Sequence, residues 1–372
     1  MKSPQVPSEE IYLDWNATTP LLPAALQAMQ RVAEHSWGNP ASVHGAGRRA
    51  RAVLEQTREA IAAQLAVHPR DVILTGGGTE ANNLALHQAT GLVTSRIEHP
   101  SVVRVAESLA ARGIPVRWLT VSVSGRVEAE SVAEALGGMP PNSAVAVAAV
   151  NHESGVIQPI VEIAEAAHRA GAWLHVDAVQ ALGKADSQPL HAADSIAIAA
   201  HKVRGPKGIG ALAWRGARVP KPLLLGGSQE RGLRPGTQDA ALAAGFQVAI
   251  DWAAQWAQRQ PRLAGLRDRL ETALRAFGEV NGGAPRVAHV TNLSFRGWRG
   301  AELAAALDLE GLRVSSGSAC SAGTSEPSSA IGAMLGRERA EQSVRFSLGE
   351  LTREDEVAQA ISLVSRVVTS RV

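Results

Sequence analysis

The sequence predicts an α/β fold in which a mostly parallel seven-stranded sheet is flanked by helices. Short apolar runs alternate with longer amphipathic segments as far as Trp214, and this alternation is typical of consecutive βαβ units. The strands are predicted at 72–74, 91–97, 116–123, 144–150, 173–177, 195–199 and 210–214. The helices between them are predicted near 45–66, 79–90, 100–112, 128–137 and 161–171.

A second, smaller domain is expected, because a chain of 372 residues exceeds what one hydrophobic core usually supports. A loop rich in glycine and arginine at 225–237 leads into a helical stretch over 239–278. A breaker at 281–285 then starts a region of mixed strands and helices. The predicted domains are a large ligand-binding domain at 16–254 and a small α+β domain formed by 1–15 with 255–372.

Composition narrows the class of partner. Hydrophobic residues make up 45% of the chain, and the formal net charge is +2 without a long Lys/Arg run. Neither nucleic acid nor a membrane surface is therefore an expected partner, and a small molecule fits better. The N-terminus lacks a signal-peptide pattern and no apolar run could span a bilayer, so we expect a soluble, cytoplasmic protein. One cysteine allows no internal disulfide and no cysteine-based metal cluster, and no metal site is expected.

Cys320 is that single cysteine, and it lies in a run of small, flexible residues at 314–325. A structural cysteine packs like a small hydrophobe, whereas a reactive thiol needs solvent access and a segment that can carry it to a substrate. The segment alone leaves both interpretations open, because many single cysteines lie in loops by chance.

Lysine is scarce, since only five of the 37 basic side chains are lysine. Two of the five, Lys202 and Lys207, follow one short apolar strand. A lysine forms a Schiff base once burial or a nearby cation lowers its pKa, and arginine cannot. The simpler interpretation is that His201 and Lys202 cap the end of a strand.

Polar residues follow the predicted strands at five crossings, and in open α/β sheets the ligand binds outside the carboxyl ends of the strands. The first crossing is glycine-rich and ends at Gly78, with Thr79 as the predicted N-cap of a helix whose N–H groups would bind a phosphate. It matches neither a dinucleotide nor a nucleoside-triphosphate motif. The later crossings end in Glu98-His99, Asn151-His152-Glu153, Asp177-Ala-Val-Gln180 and His201-Lys202. A phosphate cradle, a ring partner, a carboxylate and an amine are what pyridoxal phosphate needs.

Three segments carry a resemblance to a known family, namely 201–210, 226–237 and 314–320. They resemble segments of the group I cysteine desulfurases, in the class V aminotransferase family of fold-type I enzymes. The likeness extends from Tyr12 to Gly349, its motifs occur in family order, and the cysteine segment has the group I form. The resemblance implies the fold type I of pyridoxal-phosphate-dependent transferases and a cysteine desulfurase activity.

The resemblance also implies pyridoxal 5′-phosphate as the cofactor and gives each candidate residue a role. Lys202 would bind the cofactor through its amine and then shuttle the substrate α-proton. Asp177 would pair with the pyridinium nitrogen, and His99 would stack on the ring and assist proton transfer. The other implied cofactor contacts are Gly78, Thr79 and His201 at the phosphate, Thr237 reaching over from the second subunit of a homodimer, and Gln180 and Asn151 near the phenolic oxygen.

For the substrate, the resemblance implies that Arg345 clamps the carboxylate of L-cysteine, with Asn151 close by. Alanine would leave, and a persulfide would remain on Cys320. The flexible segment would then deliver the sulfur to an acceptor, such as an iron–sulfur scaffold protein.

One position departs from the family pattern, because the serine that usually precedes the lysine by three residues is Ala199 here. The loss of one neutral hydrogen bond to the phosphate costs about 0.5–1.5 kcal/mol. Cofactor affinity would therefore fall about tenfold at most.

Three alternatives are also compatible with the sequence. A selenocysteine lyase or another pyridoxal-dependent β-eliminating lyase would share the cofactor residues and would not need Cys320. An ordinary aminotransferase would need a keto-acid acceptor and no thiol. A non-catalytic homologue that serves as a binding scaffold is compatible with Ala199.

Overall fold

The computed structural model of the chain describes residues 10–215, 219–255, 258–317 and 327–370. The strands in these ranges are β1 (Ile11–Tyr12), β2 (Val72–Thr75), β3 (Leu92–Ser95), β4 (Val116–Leu119), β5 (Ala144–Ala148), β6 (Trp173–Asp177), β7 (Ser195–Ala199), β8 (Gly210–Trp214), β9 (Glu279–Val280), β10 (Val290–Ser294), β11 (Leu312–Arg313) and β12 (Ser343–Ser347). The helices are α1 (Pro23–His35), α2 (Gly45–Leu65), α3 (Gly78–Leu86), α4 (Pro100–Ala111), α5 (Ala129–Leu136), α6 (Ile160–Arg169), α7 (Ala240–Ala253), α8 (Gln260–Leu274), α9 (Gly300–Leu309), α10 (Ser329–Leu335), α11 (Arg337–Glu341) and α12 (Glu354–Thr369).

The central sheet has seven strands in the order β2-β8-β7-β6-β5-β3-β4. Strand β8 runs antiparallel to both of its neighbours, and the other pairs are parallel. Every residue of β5, β6, β7 and β8 is buried, as expected for strands that are covered by helices on both faces. The predicted mostly parallel seven-stranded sheet is confirmed.

The predicted strands run past the observed ends in three places, at β3, β4 and β5. The sequence remains apolar beyond Ala148, so the pattern predicts a strand as far as Val150. In the structure, Val150 instead forms an isolated bridge with Ile157. The chain leaves the sheet after Ala148, and both Ala148 and Val150 line a cavity at this carboxyl edge.

The helical stretch predicted over 239–278 is divided into α7 and α8. Pro261 lies in the first turn of α8, where its missing N–H is tolerated. In the interior of one continuous helix the same proline would remove a hydrogen bond and clash with the preceding turn, so α7 and α8 are separate helices. Within the described ranges, no helix combines the length and the apolarity needed to cross a bilayer.

A second core lies away from the central sheet. It combines Ile11 and Leu13 with residues of α8, α9, α12 and the antiparallel sheet β12-β10-β9. The short β1 joins it by pairing in parallel with β11. We propose, on this basis, the division into a large domain at 16–254 and a small domain made of 1–15 with 255–372.

Gly349 lies where the small-domain core meets the N-terminal segment. A Cβ atom added at Gly349 would lie 1.8 Å from Cδ2 of the buried Trp15 ring. Trp15 also donates its backbone N–H to the carbonyl of Ser347. Only a glycine therefore allows the tryptophan ring to rest on this stretch of backbone.

We expect Gly349→Ala to destabilise the protein by about 1–3 kcal/mol, because overpacking forces the Trp15 ring or the backbone to shift. The thermal unfolding midpoint measures the effect. Gly265→Ala is the matched control, since a Cβ added on α8 meets no atom within 4 Å. This control should stabilise the helix by about 0.4–1 kcal/mol. Equal midpoints for the two variants would contradict the packing argument.

Candidate active site

A cavity of about 280 Å³ opens at the carboxyl ends of β5, β6 and β7, beside the start of α3. Its walls bring together residues that are far apart in the sequence, which is the arrangement that strand-end polarity predicts. The predicted site residues that line it are Gly78, Thr79, His99, Asp177, Gln180, His201, Lys202 and Arg345.

Lys202 lies in a short 3-10 turn directly after β7. Its amine donates to the backbone carbonyls of Asn16, at 2.6 Å, and Ala17, at 2.8 Å. Two main-chain acceptors thus hold the amine at the cavity wall. The contact also ties the turn after β7 to the N-terminal segment.

Asp177 is the last residue of β6 and is buried. Its Oδ2 accepts a hydrogen bond from Nδ2 of Asn82 at 2.7 Å, and its Oδ1 accepts from the backbone N–H of Val179 at 3.0 Å. Both oxygens are therefore oriented by donors. A carboxylate held in this way at the cavity wall can pair with a protonated nitrogen of a bound ring.

Asn82 is a site residue that sequence analysis missed. It is buried on α3 and lines the cavity. Its amide also donates to the Ser101 hydroxyl at 2.8 Å, and its carbonyl oxygen contacts Nε2 of His175 at 2.9 Å. Asn82 lies three residues after Thr79, on the same face of α3, and this helical spacing was the available signal.

The protonation state of His175 settles the direction of these bonds. Burial lowers the pKa of His175 to about 3, so the ring is neutral at pH 7. Since Asn82 presents its oxygen, His175 donates through Nε2, and Nδ1 accepts the hydroxyl of Ser195 at 2.8 Å. Every donor in this buried chain then has an acceptor, as buried polar groups require.

His99 is the N-cap of α4. Its Nδ1 accepts the backbone N–H of Ser101 at 3.1 Å and lies 2.8 Å from the Ser101 hydroxyl. The neutral ring therefore carries its proton on Nε2, and burial lowers the pKa of His99. The ring of His152, a further residue that sequence analysis missed, packs edge-on against His99 with the centroids 5.6 Å apart. Its place between Asn151 and Glu153 at a polar crossing was the signal.

Glu98 precedes His99 and is almost completely buried. Its carboxyl group accepts the Ser95 hydroxyl at 2.5 Å and the backbone N–H of Ala148 at 2.6 Å. Burial, reinforced by the negative charge of Asp177, raises the pKa of Glu98 to about 8. A neutral acid thus supports the floor of the cavity at pH 7.

The N-terminus of α3 forms the anion-binding end of the cavity. The prediction that Thr79 is the N-cap is wrong, because the N-cap is Gly77, with φ 147° and ψ −177°. A non-glycine residue rarely adopts this backbone conformation. No side chain caps the helix there, so its first N–H groups remain available for an anion, and Thr79 lies in the first turn.

His201 lies at the same end, with Nδ1 3.1 Å from the Thr18 hydroxyl. Burial, reinforced by the charge of Lys202, lowers the pKa of His201 to about 4. A neutral His201 can donate a single hydrogen bond to a bound anion. Ala199, also in the wall, offers only a methyl group.

Arg345, on β12, is almost completely buried. Its guanidinium donates to Asp14 Oδ1 at 2.7 Å and to the carbonyl of His152 at 3.0 Å. Arginine is suited to a carboxylate because its fork of donors matches the two oxygens. This end of the cavity can therefore receive an acidic substrate group.

Not every predicted residue reaches the cavity. The amide of Asn151 serves a turn, donating to the Ile97 carbonyl and accepting from the N–H groups of Glu153 and Ser154, and it is absent from the described cavity wall. Thr237 is exposed on the surface, away from the described wall. Cys320 lies outside the described residues.

Within the described ranges, no group of three or more His, Cys, Asp or Glu side chains is arranged to bind a metal ion.

Comparison with known proteins places these features in context. The aminotransferase class-V family matches residues 11–359. A cysteine desulfurase of Bradyrhizobium diazoefficiens is 38% identical over 374 residues, which cover 96% of this chain and 94% of that protein. The IscS-like cysteine desulfurase of Mycobacterium tuberculosis is 38% identical over 383 residues, which cover 96% of each chain.

Solved structures agree with these relatives. A NifS-like protein superposes with a TM-score of 0.88 at 28% identity, over 97% of this chain and 100% of that one. The structure of SspA in complex with cysteine superposes with a TM-score of 0.77 at 31% identity, over 91% of this chain and 98% of that one.

We expect Glu98→Gln to gain stability relative to the wild type as the pH rises from about 5 to about 8. The folded pKa of Glu98 is about 8 and its ordinary value is 4.5. The unfolded chain therefore releases this proton first, and the wild type loses stability through that window. Glutamine resembles the neutral acid and does not titrate.

Thermal unfolding midpoints at several pH values test this expectation. Glu134→Gln, at an exposed position on α5, is the matched control and should track the wild type. A Glu98→Gln midpoint that stays parallel to the wild type at every pH would show that Glu98 is ionised in the folded protein.

Proposed function

This chain belongs to the aminotransferase class-V family and is a pyridoxal-phosphate-dependent cysteine desulfurase, and we propose that Cys320 receives the substrate sulfur as a persulfide. The observation that best supports the assignment of the site is the amine of Lys202. It lies in one cavity with the oriented carboxylate of Asp177 and the open N-terminus of α3. The fold is that of fold-type I pyridoxal-phosphate enzymes.

The donor set of the cavity fits the cofactor. The first N–H groups of α3 at Gly78 and Thr79, with His201, would hold the phosphate. Asp177 would hold the ring nitrogen, and the imidazole of His99 would cover the ring. When bound, pyridoxal phosphate withdraws electrons from the substrate α-carbon, so that its proton becomes removable.

Lys202 would act twice. Its amine would hold the cofactor at rest and, when free, would accept the substrate α-proton. The carbonyls of Asn16 and Ala17 give the freed amine a defined position. These two carbonyls would keep the Lys202 amine at the cavity wall whenever it is not bonded to the cofactor.

Arg345 would receive the substrate carboxylate. The side chain lines the cavity and already pairs with Asp14, so a carboxylate from the substrate meets a guanidinium that packing holds in place. This contact would set the side chain of L-cysteine towards the segment that carries Cys320. Asn151 would act at this end through the turn that it stabilises.

The position of the chain before Cys320 supports its role. Ser315 exchanges two backbone hydrogen bonds with Arg345, at 2.7 and 3.2 Å. Ser315, five residues before Cys320 in the sequence, therefore lies beside the strand that carries Arg345. Ser328, which follows this segment in the sequence, donates its hydroxyl to the buried Glu153.

The sulfur transfer balances without an external oxidant. The Cys320 sulfur forms a bond to the substrate sulfur, the bond from that sulfur to the β-carbon breaks, and the β-carbon takes up one proton. L-cysteine and a thiol thus become L-alanine and a persulfide. Of the two protons released, one from the Cys320 thiol and one from the α-carbon, one goes to the β-carbon and the other returns to the α-carbon, so no proton is gained or lost overall.

We further propose a homodimer in which Thr237 completes the phosphate site of the other subunit. Thr237 is exposed and lies outside the described wall of its own cavity. Its loop adjoins exposed apolar side chains, with Leu225 94% exposed and Leu224 57% exposed. Such a patch is typical of an interaction surface.

The persulfide would pass to an acceptor protein, such as an iron–sulfur scaffold, which fits the IscS-like name of one relative. We place the reaction in the cytoplasm, because a cysteine that accepts sulfur must remain a reduced thiol.

We expect Cys320→Ala to keep the visible absorption of the bound cofactor and to stop turnover. No contact with the cofactor is assigned to the thiol, whereas the new sulfur–sulfur bond requires it. Alanine and sulfide are measured after incubation with L-cysteine. Mass spectrometry of the wild type should show one added sulfur, at Cys320. Sulfide release by the variant at the wild-type rate would identify an eliminating lyase instead.

We expect Lys202→Ala and Thr237→Ala subunits to complement each other. Each variant alone should be inactive or weak. A mixed dimer carries one site with both native residues if Thr237 acts across the interface, so random pairing should restore about a quarter of the wild-type activity. Coexpression followed by the activity assay measures this. No gain above the two separate variants would show that Thr237 does not serve the other subunit.

A further inference from the structure

Lys184 is a buried lysine that the reaction described above does not use. It follows β6 by a few residues and is only 6% exposed. Its amine donates to Oε1 of Gln180 at 2.6 Å. No carboxylate in the described ranges forms an ion pair with it, which is unusual for a buried lysine.

The surroundings of Lys184 are cationic. Lys202 and Arg345 act on it electrostatically, and burial together with these two charges lowers its pKa well below the ordinary value. His201 and His289 also face this amine, and burial lowers the pKa of both. A charged lysine donates through three N–H groups and a neutral lysine through two, so an N–H group faces Gln180 in either state.

The contact decides which way the amide of Gln180 faces. The donor of Lys184 requires the amide oxygen, so the NH₂ group faces the other way and donates to the Asn16 carbonyl at 2.9 Å. A flipped amide would set a donor against the lysine and an oxygen against that carbonyl. Two oxygens would then face each other, and the N–H groups of Lys184 would lose their acceptor, which is costly for a buried polar group.

The Asn16 carbonyl also accepts the Lys202 amine at 2.6 Å. Lys184, Gln180, Asn16 and Lys202 thus form one continuous chain of hydrogen bonds along the cavity wall. The NH₂ group of Gln180 has two hydrogens, and Asn16 takes one of them. The second hydrogen can serve an acceptor atom of a molecule bound beside Lys202.

We propose that Lys184 is a positioning residue, which locks the amide of Gln180 so that its N–H group faces the phenolic oxygen of the bound cofactor. The proposal deepens the proposed function and rests on it, because that oxygen lies beside the nitrogen that Lys202 contributes. A donor to the oxygen draws away negative charge that would otherwise hold a proton on this nitrogen. The lock therefore keeps the nitrogen easier to deprotonate.

The test is a pH titration of the visible absorption band of the holoenzyme. Lys184→Met removes the donor but keeps the length and apolar stem of the side chain. We expect its titration midpoint to rise by about half a pH unit to one pH unit, since one hydrogen bond of ordinary strength is weakened. Gln180→Ala should raise the midpoint in the same direction and by at least as much.

The double variant Lys184→Met/Gln180→Ala separates two causes. If Lys184 acts through Gln180, the double variant titrates like Gln180→Ala alone. If Lys184 acts only through its own charge, its removal shifts the midpoint equally in both backgrounds, and the proposal is overturned. A Lys184→Met midpoint equal to that of the wild type, with only a lower melting temperature, would also overturn it.

Lys221→Met is the matched control, because Lys221 is exposed. It should titrate like the wild type. A wild-type protein without any visible band after reconstitution would refute the pyridoxal site itself, so failure of that assignment is distinguishable from failure of the Lys184 proposal.

Discussion

The position of Asn16 is the constraint on which the site depends. This residue is 1% exposed and lies where the N-terminal segment crosses between the two cores. Its carbonyl accepts hydrogen bonds from the Lys202 amine and the Gln180 amide, and its side chain bonds the His152 carbonyl and the His289 ring. Residues from both cores therefore converge on one short turn, Trp15 to Ala17. The rest of the cavity is arranged around it.

The crossing is held by packing as well as by hydrogen bonds. Trp15 lies on Gly349, and the Asn16 N–H donates to the Ser347 hydroxyl at 2.9 Å. The end of β12 therefore fixes the backbone of Asn16, whose carbonyl accepts the Lys202 amine. Arg345, on the same strand, pairs with Asp14. The substrate end and the cofactor end of the cavity thus share a single support.

Two buried titratable groups behind the cavity, His175 and Glu98, are uncharged at pH 7, and the carboxylate of Asp177 faces the cavity. Burial lowers the pKa of His175 to about 3 and raises that of Glu98 to about 8. Because these groups are neutral, each hydrogen bond has one direction. Ser195 donates to His175, His175 donates to the amide oxygen of Asn82, and the amide NH₂ of Asn82 donates to Asp177. A charge in this chain would carry a large desolvation cost. The directions of the hydrogen bonds in the cavity wall are therefore set by the protein alone.

Local pattern was sufficient to predict the central sheet, its covering helices and the residues at the strand ends. Lys202, Asp177 and His99 could be named because strand periodicity locates the carboxyl edge, where their side chains converge. The family resemblance added Arg345 and Thr237, and it gave a role to Cys320, which the sequence already distinguished as its single cysteine. Only tertiary structure decided the parts that depend on distant segments. Asn82 and His152 became visible as lining residues only in the folded structure, as did Asn16, whose carbonyl accepts from Lys202 and Gln180. The division into α7 and α8 and the N-cap at Gly77 depend on backbone conformation, which side-chain pattern reports poorly. Hydrogen-bond direction is set by burial and by partners far along the chain, and neither is encoded in the neighbouring residues.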